Sequence, residues 1–425
     1  MTQDLLRILV VLPMYGGSLP VGRYCAEALR GMGHSVRIFD APFMYPAFTG
    51  LRRLALPAAA EKQLENSFLR LVSQAIWAHA EAMEPHLVLA LAQAPVSRAL
   101  LERLRRAGIR TAMWFVEDYR IFDYWRLYAP FYDVFAVIQK APFIDELARM
   151  GQRGALYLPL AALPDFHKPI ALTPQEKQEY CADIAFLGAG YPNRRLAFRH
   201  LAGKNFKIWG SDWEGENLLA ANVQRQGARI SEEESVKIYN ASKININLHS
   251  SLQTKDIVSH GDFVNPRTFE LAAMGAFQLV DERSLLGELF GADELATFTS
   301  VEELYAKIDY FSARPEEREA YTVKARTRVL QEHTYAHRMS RLLDCIVKTG
   351  GNWPESGAAD VSSPDVEPEL QGELEQLSHK LGLGPHAAFD DVIARLRQQS
   401  GALSELETSL LFLDEWRKQY LPKQP

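Results

Sequence analysis

The chain has 425 residues, 47% hydrophobic and 24% charged, with a formal net charge of −6. This composition excludes a disordered or fibrous chain and suits roughly two to three globular domains. No apolar run approaches the ~18 residues that would span a bilayer. The three cysteines, Cys25, Cys181 and Cys345, form no C-x-x-C pair, which argues against a disulfide framework or thiolate zinc site and fits a reducing cytoplasm.

Charge is unevenly spread. Residues 351–425 hold thirteen acids against six Lys and Arg, so the preceding body is close to neutral and makes no electrostatic case for nucleic acid. The apolar start is interrupted by Arg7 and lacks a small-residue cleavage site, so it reads as a first strand and not as a signal peptide.

Strand and helix alternate from there. "RILVVLP" predicts a buried strand, "GGSLPVG" a loop, "RYCAEALRGMG" an amphipathic helix and "HSVRIFD" a second strand. A long helix over roughly Ala60 to Met83 precedes the strands in "HLVLALA", "RTAMWFVED" and "YDVFAVIQ". Continuous apolar strands between helices are the pattern of a parallel sheet covered on both faces. "GQRGALYLPLAALPDFHKP" reads as a connection between domains. The alternation restarts at "ADIAFLGAGYPNRR" and runs through "FKIWG", "KININLH" and "AFQLVD". Residues 301–348 then read as almost all helix.

The expected domains are 1–165, 166–350, a linker at 351–368 and a helical extension at 369–425. The Pro-, Ser- and acid-rich linker has little to bury. The extension shows apolar residues near helical spacing, fit for a small bundle or for docking on a protein partner.

Three stretches bear chemistry. Gly16 and Gly17, and then Gly188 and Gly190, each follow a strand and lead toward a helix, where backbone N–H groups suit a phosphate or sugar hydroxyl. Neither loop has G-x-G-x-x-G spacing, so a nicotinamide site is not supported. Arg194 and Arg195 beside the second loop suit a pyrophosphate. Glu117 and Asp118 fall where "TAMWFV" ends, the position from which an acid can accept or orient a proton of a sugar hydroxyl. The aromatics around them read mainly as core. In "NPRTFELAAMG", Asn265 caps a short helix, Pro266 opens it and Gly275 ends it, with Met274 its expected last residue. Its free first-turn N–H groups are a further set of donors. Glu270 sits among apolar residues there and requires a partner or a role. His333 and His337, four apart, lack the intervening Glu of H-E-x-x-H and read as a structural pair. There is no D-x-D, the usual carboxylate cradle for a divalent metal.

"DFVNPRTFELAAMGAFQLVDERSLLGELF", "TSVEELYAKIDYFSARPEERE" and "RVLQEHTYAHRMSRLL" resemble the CgeB-like, or spore-maturation-protein-like, glycosyltransferases. "ADIAFLGAGYPNRR", "KIWGSDW" and "IYNASKININLH" match the same family in the same order, and "WFVEDYRIFDYW" with "APFYDVFAVIQK" is similar to its N-terminal domain. The resemblance spans roughly residues 5 to 345 and leaves the tail out. It implies a GT-B fold, α/β, with two Rossmann-like parallel-sheet domains facing a cleft, and transfer from a nucleotide-sugar without an essential metal or other cofactor. Related family 4 glycosyltransferases hold the donor with two glutamates, the second on the ribose. Glu270 matches the second; Asp262 stands where the first would be.

The expected donor residues are therefore Gly188, Gly190, Arg194, His249, Asn265, Arg267 and Glu270. Asp118 and Asp262 are the expected catalytic acids, and Gly16, Gly17 and Glu117 face the acceptor. The acceptor is a glycan, a lipid-linked group or a protein, and the likeness leans toward retention by a hexosyltransferase. The expected location is the cytoplasm, including the inner face of a membrane. The rival readings are a non-catalytic sugar- or nucleotide-binding scaffold and a nucleotide-sugar epimerase.

Overall fold

The computed structural model describes residues 5–252, 254, 257–258, 261–350, 353–354, 368–383, 389–399 and 401–420. The expected linker at 351–368 lies almost wholly outside the described residues.

Two sheets carry the fold. The first has strands β1 (Arg7–Val11), β2 (Ser35–Phe39), β3 (Leu87–Leu91), β4 (Arg110–Phe115), β5 (Val134–Val137) and β6 (Ala155–Tyr157), in the order β2-β1-β3-β4-β5-β6. The second has β7 (Ala182–Leu187), β8 (Phe206–Trp209), β9 (Ser242–Asn247), β10 (Gln278–Asp281) and β11 (Ala296–Phe298), in the order β11-β10-β9-β7-β8. The pairings of β1 with β2 and β3, and of β7 with β8 and β9, are parallel. Both sheets are Rossmann-like, and each reverses its strand order beside its first strand. The loop after β1, with Gly16 and Gly17, lies at one reversal; the loops after β7 and β9 lie at the other. Ligands of such sheets sit at these carboxyl-end switch points.

By contacts the chain divides into two compact units, Met1–Met113 with Phe131–Asp133 and Ile346–Pro425, and Trp114–Pro130 with Val134–Cys345. In the first, the helix expected to begin at Arg23 starts already at Ser18 and takes in "SLPVG". Pro20 is harmless so early, where backbone N–H groups have no helical partner. Gly22 lets the helix lie on the sheet, since a Cβ there would come 2.4 Å from a Leu12 methyl.

The extension is part of this unit. Helices Pro368–Lys380, Phe389–Leu396 and Glu405–Tyr420 share a core of Leu377, Leu381, Val392, Ile393, Leu396 and Leu410, against which Leu5 packs. Arg395 donates to the Gly33 carbonyl, and Arg7 faces Asp391 at 3.5 Å. Trp353 Nε1 donates to the His86 carbonyl at 3.3 Å. Truncation after Gly350 is therefore expected to lower the melting temperature by several degrees. Nucleotide affinity should stay within about twofold, as expected for sites that share no bonded partners among the described residues. Calorimetry with titration of a nucleoside diphosphate checks both.

In the second unit, the stretch read as a connection is a buried crossing. Leu158, Leu160, Ala161 and Ala162 are buried, and Ala162 bridges Thr334. Its carbonyls are satisfied from inside: Trp114 Nε1 donates to Leu158 at 3.0 Å, and the buried Arg338 donates to Pro159 at 2.6 Å and Leu160 at 3.0 Å. The same bridge breaks the long helical region. Helix Pro315–Glu332 stops at His333 and Tyr335–Gly350 begins afresh. His333 and His337 thus lie on different elements. His333 accepts from Arg338 at Nδ1 (2.9 Å) and so donates from Nε2 to the Leu289 carbonyl (2.7 Å), a structural role.

Candidate functional site

The site is built from loops after β4, β5, β7 and β9 in the second unit. The loop after β9 is held by buried polar residues. Asn193, on the helix Pro192–Phe198, donates to the carbonyls of His249 (2.9 Å) and Ile257 (3.0 Å) and accepts from Ser251 N–H at 2.9 Å. His249 is 3% exposed. Its Nε2 accepts the Asn265 N–H at 3.0 Å, so Nδ1 carries the proton and donates to Asp281 Oδ1 at 2.7 Å. Burial lowers its pKa, in keeping with a neutral ring. Asp281 also accepts the His249 N–H at 2.9 Å and faces Arg283 at 3.4 Å. Both ring nitrogens of His249 are thus committed to placing the next helix.

That helix is Pro266–Ala273, one residue shorter than expected, with Met274 as its cap and Gly275 at φ +63°. Asn265 Oδ1 accepts from the N–H and hydroxyl of Thr268, both at 3.1 Å. Its Nδ2 donates to Asn247 Oδ1 at 2.8 Å, and Asn247 in turn donates to Thr268 and Gln278. This takes donors out of the first turn: Pro266 has no N–H, and that of Thr268 goes to Asn265, so the row of free donors is shorter than expected.

The second glycine loop is closed in the same way. Gly188 N–H donates to Trp209 O at 2.8 Å and Gly190 N–H to Ser211 O at 2.9 Å. A Cβ on Gly190 would stand 2.2 Å from the Asp212 carbonyl oxygen, so this glycine serves a close backbone approach. Arg194 is 6% exposed and donates to Leu248 O (2.8 and 3.0 Å) and Ala189 O (3.0 Å). Burial and the nearby Arg267 hold its pKa down to about 9. Arg195 likewise binds the carbonyls of Gly190 (2.7 Å), Glu214 (2.8 Å) and Asp212. These four residues tie the loops after β7, β8 and β9 together. Gly190→Ala is expected to cost about 1–3 kcal/mol by overpacking, measured by denaturant unfolding.

What stays open is more selective. Arg267 commits Nε to the Tyr239 hydroxyl at 2.7 Å and lies 5.8 Å from the centroid of the Phe186 ring, and among the described residues no other hydrogen-bond acceptor takes its guanidinium. Glu270, three residues on, has 20% of its side chain accessible and accepts no hydrogen bond from the described residues. His167 Nε2 stands off at 3.9 Å. Burial holds His167 down near 4, so it is neutral and does not balance a Glu270 charge. Burial also pushes Glu270 up to about 7, against the pull of Arg267 and with a push from Glu232.

Asp118 and Asp262 meet around Gln139, which the sequence reading did not single out. Gln139 Nε2 donates to Asp262 Oδ1 at 2.9 Å and Asp118 Oδ1 at 3.3 Å. Asp262 Oδ2 pairs with Arg120 at 3.0 Å. Asp118 Oδ1 also accepts the Arg120 N–H at 2.9 Å, leaving Oδ2 open among the described residues. Glu117 accepts from the Tyr124 hydroxyl at 2.8 Å. Gly16 (φ +104°) and Gly17 belong to the first unit, where they lead into the helix Ser18–Gly31.

Two Rossmann-like domains of this kind define the GT-B class, and comparisons with solved structures agree. A glycosyltransferase from Rickettsia africae superposes with a TM-score of 0.56 at 14% identity, over 82% of this chain and 100% of that one. Anabaena HepE in complex with UDP and glucose gives 0.54 at 11% identity, over 81% and 100%. Residues 194–344 match a family described as glycosyl transferase-like. The spore protein CgeB of Bacillus subtilis is 23% identical over 257 residues, 56% of this chain and 76% of that protein. The chain thus matches a glycosyl transferase-like family over residues 194–344 and is similar to CgeB, as its motifs imply. Among the described residues no helix is long and apolar enough to cross a membrane.

Proposed function

We propose that the protein moves a sugar from a nucleotide-sugar to a hydroxyl of a glycan, lipid-linked or protein acceptor, in the cytoplasm and without a metal. The observation that carries this is the pair of open groups on one capped helix of the glycosyltransferase-like domain, the Arg267 guanidinium and the Glu270 carboxylate. Glu270 accepts the ribose hydroxyls, and Arg267 meets charge developing on the leaving diphosphate. Asp262 contacts the transferred sugar. Asp118, with Oδ2 open, orients the acceptor hydroxyl and receives its proton as the oxygen bonds to the anomeric carbon and the diphosphate departs with the electron pair. Gly188, Gly190, Arg194, His249 and Asn265 place these groups without touching substrate. A hexosyl donor follows the family resemblance, and retention, which the resemblance also favours, requires the acceptor oxygen to attack from the face the diphosphate leaves. That HepE is solved with UDP and glucose supports a uridine donor as the first to try.

A thermal-shift screen of UDP, GDP, CMP, dTDP and ADP tests the binding half. A ligand at a hundred times its Kd stabilises by about 2.7 kcal/mol. One nucleotide is expected to raise the melting temperature, equally with EDTA present. No shift with any of them would end this reading.

A further inference from the structure

We infer that Gln139 is the positioning residue of the reaction, setting both Asp118 and Asp262 through one side-chain amide; this rests on the glycosyl-transfer reading of that pair. Gln139 follows β5 and is 0% exposed. Asp118 follows the neighbouring strand β4, and Asp262 lies in the loop before the helix Pro266–Ala273.

Chemistry fixes the amide's direction. Oε1 accepts the backbone N–H of Tyr119 at 3.0 Å. Turned over, the amide would set its NH2 against that N–H, donor on donor. The NH2 therefore faces the acids, with one hydrogen for each Oδ1. A buried amide with every hydrogen placed is a specific device, since burying a polar group without partners costs several times a bond's net worth. Tyr119 itself is fixed by stacking on Phe143, with ring centroids 4.4 Å apart at 9°.

Three consequences follow for the chemistry. Asp118 is held by Oδ1 alone, so its open Oδ2 has one direction. Asp262 is held on both oxygens, by Gln139 and by Arg120, which suits a sugar contact and not a proton carrier. Two carboxylates near each other repel, and a donor shared between them offsets that repulsion without adding charge. Among the described residues, the other charged or titratable groups around the cluster are Tyr119, Arg120, Arg283, Tyr157 and the Lys140–Glu288 pair. Each of these carries a charge or can lose a proton, whereas the amide does neither at any working pH.

Gln139→Glu keeps the shape and the acceptor to Tyr119 but makes a third carboxylate. The readout is nucleoside diphosphate release from UDP-glucose, or from GDP-mannose if UDP-glucose is not turned over, followed from pH 5 to 9. The acid limb of this profile is expected to move up by about one pH unit or more, since like charges hold protons. Affinity for the free nucleotide should stay within about twofold. Gln139→Met removes both donors without charge, and kcat is expected to fall at least tenfold with KM for the donor little changed. A merely structural role would lower the melting temperature and leave the profile and the kcat of folded enzyme as in the wild type. That result overturns the inference, and a folded Met variant with wild-type kcat does so even if the Glu variant does not fold. If the wild type releases nucleotide from neither of these nor from a sugar of any nucleotide that the thermal-shift screen shows it binds, the glycosyl-transfer reading itself falls, and this inference with it.

Discussion

Glu270→Gln is expected to weaken nucleotide binding about 10- to 100-fold at pH 8 while making the free protein more stable. A carboxylate accepting from two ribose hydroxyls makes two charge-assisted bonds of roughly 1.5–3 kcal/mol each. Gln retains one acceptor oxygen, so about one such bond is lost, and ~1.4 kcal/mol is a factor of ten. The stability effect has the opposite sign because Glu270 is a buried acid that accepts no hydrogen bond from the described residues, with the neutral His167 at 3.9 Å. Its folded pKa, near 7, lies above the ordinary carboxylate value. Between those values the folded protein binds more protons than the unfolded chain, so stability falls as pH rises through that window. Gln removes the fall: the variant should gain melting temperature above pH 7 and converge with the wild type in acid. An internal ion pair with Arg267, the alternative the spacing allows, predicts the reverse, and no such pair is seen among the described residues; Arg267 donates to Tyr239 instead. Calorimetric titration and thermal melts across pH separate the two. Because the ribose hydroxyls favour the ionised acid, nucleotide binding near pH 7 should also release protons, and the Glu270→Gln variant should lose that release.

Asp118→Asn is expected to lower turnover by about 10²–10⁴-fold, the typical contribution of a general acid–base group, with nucleotide affinity unchanged. The substitution is mild for the fold. An Asn oxygen at Oδ1 still accepts from Arg120 N–H and from Gln139, the bonds Asp118 makes now. Only the open position changes, from an acceptor of protons to an amide that cannot take one. Steady-state kinetics with the native acceptor, beside nucleotide titration, measure the split. Turnover within a few-fold of the wild type would make Asp118 a solvated acid with no part in the chemistry.

Much of this architecture was legible because strand and helix signals repeat. The buried strands, both glycine loops and the capped helix at Asn265 stand where period and capping put them. Two surprises share a cause: "SLPVG" reads as loop, yet Pro20 falls in the first turn of a helix, and "LYLPLAALP", which runs from the first sheet toward the second as expected, is buried with Arg338 on its carbonyls. Tertiary partners so distant in sequence leave no local trace.

The site was legible by residue more than by role. Glu270 was a fair suspicion because a mid-helix acid among apolar neighbours needs a reason. Arg194 and the glycines at 188 and 190 looked like phosphate ligands, whereas their polar groups are directed to backbone, something only the folded loops reveal. Gln139 was missed, although a signal existed: a polar residue straight after "VFAVI", at the end of a buried strand, must find partners. Asn245 and Asn247 within "KININLH" carried the same signal, and both are buried and hydrogen-bonded.

Nucleotide-sugar turnover in the presence of EDTA, with the sugar product identified by proton NMR, tests the central claim most directly. The account predicts release of a nucleoside diphosphate and a sugar freed to water or passed to an added acceptor, at a rate EDTA does not change and the Asp118→Asn variant loses. Binding of the nucleotide with no release from any donor, or an intact donor returned as its 2-epimer, would contradict it.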